Sequence, residues 1–354
     1  MGAFEDNSGK VSATVFKEDL LPGCGAKRPE VLCGPAFGVD TAIIDLGGGD
    51  ALAVSSDPLS LIPSLGMKVS AWLSVHLLVN DMSTTGFSPQ YAQFVLNLPT
   101  SLTRSQFNEY WQHIHGLCEE MDIAITGGHT GQVPGQESTI SGAGTMFLKA
   151  PKEQLLSSNG AQPGDIVIVT KHAALSSTAI LAMAFPETVK ERCGESVQLD
   201  VANQFWNLSV LKEAKLAAKI LTPRSELSAM HDVTEGGVLG ALSEMADASQ
   251  CGFKVQTHKI PIGSSVKQVA DLFEIDPLLS VGAGAMLMAV KAGTENGLIQ
   301  ALADEGIPAT AIGQFTKDRS KTLVTENGES QELAFDGVDP YWGAFFKAFQ
   351  AGWK

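Results

Sequence analysis

The sequence predicts an α/β, or mixed α+β, protein built as two domains, and three observations lead there. The chain has 354 residues, more than one hydrophobic core ordinarily serves. Apolar runs with the two-residue period of strands alternate with runs of helical period through both halves. Between the halves, Pro151 and the polar tract Ser157-Ser-Asn-Gly-Ala-Gln-Pro-Gly164 break the pattern, which divides the chain into domains of residues 1–150 and 151–354.

Taken in order, the polar start with Ser8-Gly9-Lys10 and the turn-rich Leu21-Pro22-Gly23-Cys24-Gly25 read as irregular. Two β-type runs, 41–45 and 51–55, flank Gly47-Gly48-Gly49-Asp50, a hairpin signal. From Gly66 to Ser83 the spacing of Val69, Trp72, Leu73, Val75, His76 and Val79 is that of a buried helix. Residues 91–98 alternate like a strand, and Thr103 caps an amphipathic helix that runs to Glu120. A strand over 122–126 then runs into the glycine tract Gly127-Gly128-His129-Thr130-Gly131, where His129 reads as a turn residue, and 139–148 forms another strand. The second half opens on a strand at 165–170. It continues with a helix over 210–221, a turn at His231-Asp232, a helix over 237–248, a strand over 285–290 and a helix over 296–305.

Composition narrows the function. Twenty-four basic against 39 acidic residues leave a formal charge of −15, which argues against wrapping nucleic acid or lying on anionic lipid. The five cysteines (Cys24, Cys33, Cys118, Cys193, Cys251) include no C-x-x-C pair and read as reduced thiols rather than a disulfide frame or zinc site. The start lacks the basic and apolar regions of a signal peptide, and no stretch approaches about 18 apolar residues. A soluble cytoplasmic protein acting on a small molecule, with no membrane or nucleic-acid partner, is the expectation.

Four aspartates set among small residues carry the chemistry: Asp40 in Gly38-Val39-Asp40-Thr41-Ala42, Asp57 in Ser55-Ser56-Asp57-Pro58, Asp81 in Val79-Asn80-Asp81-Met82, and Asp232 in His231-Asp232-Val233-Thr234-Glu235-Gly236-Gly237. Singly, each reads as a turn or cap residue. Jointly, hard oxygen ligands gathered from distant segments are how a protein without a P-loop holds Mg²⁺ against phosphates.

These tracts and their order resemble the family of aminoimidazole ribonucleotide synthetase (AIR synthase). The matching tracts are Gly-x-Asp-x-Ala at 38–42, a strand ending at Asp57, Val-Asn-Asp-x-x-x-x-Gly at 79–86, Gly-Gly-x-Thr at 127–130 and Asp-x-Thr-x-Gly-Gly at 232–237. The approach Gly34-Pro35-Ala-Phe-Gly38 looks most like its hydrogenase-maturation branch. The resemblance implies an AIR synthase-like two-domain fold whose amino-terminal sheet closes against that of a second subunit in a homodimer. It also implies a cleft for ATP and Mg²⁺ under a mobile amino-terminal segment. Carried over, Asp40, Asp57, Asp81 and Asp232 are the metal ligands, and Lys10 is the cation of the roof. Asn80, Thr130, Thr234, Gly236 and Gly237 line the nucleotide, and His129 joins Lys10 as a catalytic candidate.

The chain departs from the family's pattern at Val39 and Ala283, where relatives often carry acids, and at His129, which replaces an acid. It ends in Lys354, where the hydrogenase-maturation proteins end in a carbamoyl-carrying cysteine, so the carbamoyl step is not expected. The activity implied is transfer of the ATP γ-phosphate to an oxygen of a small molecule or amide-like group. The alternatives are a thiamine-monophosphate-type kinase and a nucleotide-binding factor without turnover.

Overall fold

A computed structural model describes residues 9–136, 138–335 and 337–354. Its amino-terminal part comprises α1 (Ala13–Val15), β1 (Val31–Cys33), β2 (Ala42–Gly47), β3 (Asp50–Ser60), α2 (Met67–Ser83), β4 (Tyr91–Pro99), α3 (Arg104–Glu120), β5 (Ala124–Val133) and β6 (Ile140–Pro151). The remainder begins with β7 (Ile166–Thr170), α4 (Leu175–Ala184), α5 (Pro186–Cys193), α6 (Glu195–Asn203), α7 (Leu211–Ile220), β8 (Leu227–Asp232), α8 (Gly237–Ala248) and β9 (Gly252–Gln256). It closes with α9 (Ser264–Leu272), β10 (Met286–Val290), α10 (Glu295–Asp304), β11 (Ala309–Thr316), β12 (Lys321–Val324), β13 (Ser330–Glu332) and α11 (Pro340–Gln350).

The strands form two sheets, one ordered β1-β2-β3-β6-β4-β5 and the other β13-β12-β9-β11-β7-β10-β8. Among the described strands, only β4 with β5 and β9 with β12 run parallel, so the architecture is the mixed, two-sheet form of the expected class. In the first sheet the Gly48 and Gly49 backbones, at φ 65° and 92°, make the two-residue hairpin joining β2 to β3, a turn that needs left-handed residues. One face of this sheet packs on α2 and α3 through Ala53, Leu59, Val75, Leu78, Phe94, Tyr110, Ile114 and Met146. Helix α2 seats so closely that a Cβ on Gly144 of β6 would lie 2.3 Å from Leu78. A capping box between Thr103 and Gln106 starts α3.

Two expectations about local structure are corrected. The glycine tract 127–131 makes no turn at His129, because β5 continues through it in parallel register with β4, Gln93 opposite Gly127 and Pro99 opposite Val133. A Cβ on Gly128 would lie 1.9 Å from the Phe94 carbonyl oxygen, so the glycine permits strands to approach rather than a turn to form. Likewise His231 and Asp232 end strand β8, paired with Leu287 and Met286 of β10. Every residue of β8 is buried, and a strand covered on both faces loses the alternation that marks a strand in sequence. Among the described residues no helix is long and apolar enough to cross a membrane.

Candidate functional site

Four segments far apart in the chain deliver the aspartates to one place. Asp40 sits in the loop before β2, Asp57 in β3, Asp81 in the last turn of α2, and Asp232 at the end of β8. Ser55 Oγ donates to Asp81 Oδ2 at 2.7 Å and Ser158 Oγ to Asp40 Oδ2 at 2.8 Å. Ligand atoms of Asp40, His231 and Asp232 lie within 4.8 Å of one another. Asp232 is buried, and its Oδ2 has no hydrogen-bond partner among the described residues.

The electrostatics follow from that crowding. Burial, then the charge of Glu235, pushes the Asp57 carboxyl up to about 6, against the pull of Lys10. Burial and Asp40 push Asp232 up to about 8, and burial together with Asp232, Asp57 and Asp40 holds Asp81 well above the carboxylate range. Carboxylates that raise one another and leave an oxygen without a donor fit a hard divalent cation. His231 behaves as a fixed cation. Burial opposes its charge, yet Asp40 at 2.8 Å from Nδ1 and Glu244 at 3.4 Å from Nε2 outweigh burial and raise it to about 10. Lys10 Nζ lies 2.9 Å from both carboxylate oxygens of Glu244.

Not every sequence candidate joins this centre. Asn80 turns instead to the other sheet's half, its amide bonding the Leu208 carbonyl at 2.8 Å and the Val210 N–H at 2.9 Å. His129 is exposed and lies opposite Val95 on the outer face of the first sheet, whereas Gly128 lies opposite the buried Phe94 on the inner face. Thr130 is an exposed strand residue two positions from Gly128. The Thr234 carbonyl accepts from Gly237 and Gly282. The glycines after it meet protein, since Gly236 donates to Asp339 Oδ2 at 2.7 Å and a Cβ on Gly237 would lie 2.6 Å from the Leu278 carbonyl oxygen. The residues missed from sequence are His231 and Glu244. Only Glu244 left a signal: it is a charge in a helix whose other buried members include Leu239, Ala241, Leu242 and Met245.

A cavity of about 1260 Å³ lies elsewhere, between α3 and α7, with Trp72, His76, Phe87 and Trp206 in its wall. None of the four aspartates lines it, and the chemistry is read from the carboxylates rather than from cavity size.

Residues 38–147 match the AIR synthase related protein, N-terminal domain, and residues 162–326 match the AIR synthase related protein, C-terminal domain. The chain belongs to the AIR synthase related family. Within it, a hydrogenase expression/formation protein of Methanocaldococcus jannaschii is 27% identical over 71% of this chain and 72% of its own. Selenide, water dikinase of Escherichia coli is 24% identical over 90% of this chain and 94% of its own. A solved structure of the hydrogenase maturation protein HypE in complex with ATP superposes with a TM-score of 0.68 at 20% identity, covering 95% of this chain and 97% of that one. At the two positions read as departures from the family's pattern the side chains are apolar and packed. Val39 packs on the first-sheet core, and Ala283 is buried with Leu208 and Phe205.

Proposed function

We propose that this family member binds ATP through Mg²⁺ held by Asp40, Asp57, Asp81 and Asp232, and transfers the γ-phosphate to an oxygen of a small molecule or amide-like group. The observation that carries this reading is the convergence of four aspartates from four segments, one with a buried oxygen that lacks a partner. Phosphoryl transfer asks a protein for positioning and charge neutralisation rather than for covalent chemistry. Ser55 and Ser158 orient Asp81 and Asp40 by donating to one oxygen of each, leaving the other for a ligand. Mg²⁺, when bound, neutralises charge on the transferred phosphoryl group. Lys10 is assigned as the side-chain cation that meets the phosphates, and Thr234, two residues after Asp232, as a second phosphate contact. His129 is assigned to the same site only through an assembled homodimer, in which the outer face of the first sheet, with Tyr91, Val95 and Phe147, meets its copy, whereas Thr130, opposite the buried Leu96 on the inner face, is assigned to it within one protomer.

The other reading, a nucleotide-binding factor without turnover, is favoured by Val39 and Ala283, whose side chains belong to the apolar core. Isothermal titration with Mg-ATP, followed by ADP release over a panel of hydroxyl- and amide-bearing metabolites, separates the two. Binding with turnover on a panel member supports the kinase reading. Binding without turnover on any supports the factor, and no Mg-dependent binding sinks both.

A further inference from the structure

Glu244 is the point at which three parts of the candidate site meet. Lys10, on the amino-terminal segment, places Nζ 2.9 Å from both Glu244 oxygens and 4.7 Å from the centroid of the Phe37 ring. His231, at the end of β8, stands 3.4 Å from Glu244 and 2.8 Å from Asp40. The loop that carries Asp40 rests directly on the same residue, because a Cβ on Gly38 would lie 2.6 Å from the Glu244 Cβ. The Glu244 side chain is only 11% exposed, against 42% for Lys10, so the glutamate is the fixed partner and the lysine the one that can leave.

We infer that Glu244 is a positioning residue that parks Lys10 beside the carboxylate centre and competes with the nucleotide for it. The inference rests on the Mg-ATP reading above and adds the step by which the site opens. A lysine held by a carboxylate cannot neutralise a phosphate, so nucleotide binding exchanges one anion for another on the same ammonium group. The main-chain N–H of Lys10, which donates to Glu235 Oε2 at 2.6 Å, keeps the segment in place while the side chain changes partner. Charge balance favours the exchange only when a divalent cation has joined the aspartates, because the anions there otherwise repel a polyphosphate. Glu244 thereby makes occupation of the metal site a condition for releasing Lys10.

A double-mutant cycle tests this. Glu244→Gln keeps the shape and an oxygen for His231 while weakening the hold on Lys10. It is expected to tighten Mg-ATP binding about fivefold or more. Lys10→Met alone weakens binding, and in the Lys10→Met background Glu244→Gln has no tightening effect. Glu244→Gln that weakens binding, or tightens it equally without Lys10, overturns the parking role. Hydrogen exchange supplies a readout independent of nucleotide. In the ligand-free protein, residues 9–20 exchange faster in Glu244→Gln than in the parent, and unchanged protection there overturns the contact. Failure of the parent to bind Mg-ATP sinks the function reading alone, since the exchange arm still decides whether Glu244 holds the segment.

Discussion

Asn80 of α2 bonds the Leu208 carbonyl and the Val210 N–H at once, so the residue next to metal candidate Asp81 is the clasp between the two halves of the molecule. Both distant groups are buried with it. Asn80→Ala should leave a carbonyl and an amide without partners, at about 1–3 kcal/mol each, and thermal unfolding measures the loss. Asn80→Asp is expected to be as harmful, because a carboxylate can accept from Val210 but repels the Leu208 carbonyl. A change under about 0.5 kcal/mol in either variant would contradict the clasp.

Asp81→Asn replaces a carboxyl that burial and its carboxylate neighbours force to take up a proton with a neutral amide that still offers Ser55 an acceptor. The ligand-free variant should therefore be the more stable, by about 2 °C or more in Tm, as roughly 1 kcal/mol gives in a chain of this size. Mg-dependent nucleotide binding should be lost in the same protein. A folded Asp81→Asn variant with unchanged Mg-ATP affinity, measured by titration calorimetry, removes Asp81 from the metal site.

Ser158 acts one step further out, through its bond to Asp40. Ser158→Ala is expected to lower Mg²⁺ affinity by about 10- to 100-fold without changing the oligomeric state. An isotherm that matches the parent would show that Asp40 needs no such support.

The pH dependence has a definite sign. Asp57 at about 6 and Asp232 at about 8 hold protons that the unfolded chain gives up near 4. The folded protein therefore binds more protons over that window, and its ligand-free stability falls as pH rises from 4 to 8. His231 adds to the trend: raised to about 10, it contributes stability that is complete below about 6.5 and lost as pH climbs through 10. Mg²⁺ competes with those carboxyl protons, so it should raise Tm more at pH 8 than at pH 5.5. Equal Mg²⁺ shifts at the two pH values would mean that the cation binds elsewhere.

The outer face of the first sheet carries Tyr91 and Val95, each 40% exposed, with Tyr91 stacked on Phe147 at 5.2 Å. If this face closes on its copy, sedimentation gives a mass near twice 37.3 kDa, and Val95→Glu, which leaves the inner core untouched, gives monomers. A parent protein that sediments as a monomer at micromolar concentration would refute the assembly.

Much of this was legible in the chain because the information was local. The hairpin at Gly48-Gly49, the helices α2, α3 and α8, and the four aspartate tracts each announce themselves within a few residues. The glycine tract of β5 misled for the opposite reason: its backbone is settled by Phe94 of the neighbouring strand, 34 positions away. His231 was silent because its pairing with Asp40, 191 residues apart, leaves no mark on either neighbourhood, whereas Glu244 stood out only as a charge among the apolar residues of α8. His129 fell on the outer face through strand register, which a motif does not encode.

One bond ties this centre to the end of the fold. Asp339 caps α11 through the Tyr341 N–H at 2.8 Å while its other oxygen receives the Gly236 N–H at 2.7 Å, and Phe335 lies against Gly236. A truncation at residue 334 would thus strip the partner from a buried amide four positions after Asp232. Trimming the chain from that end is surgery on the turn that follows Asp232.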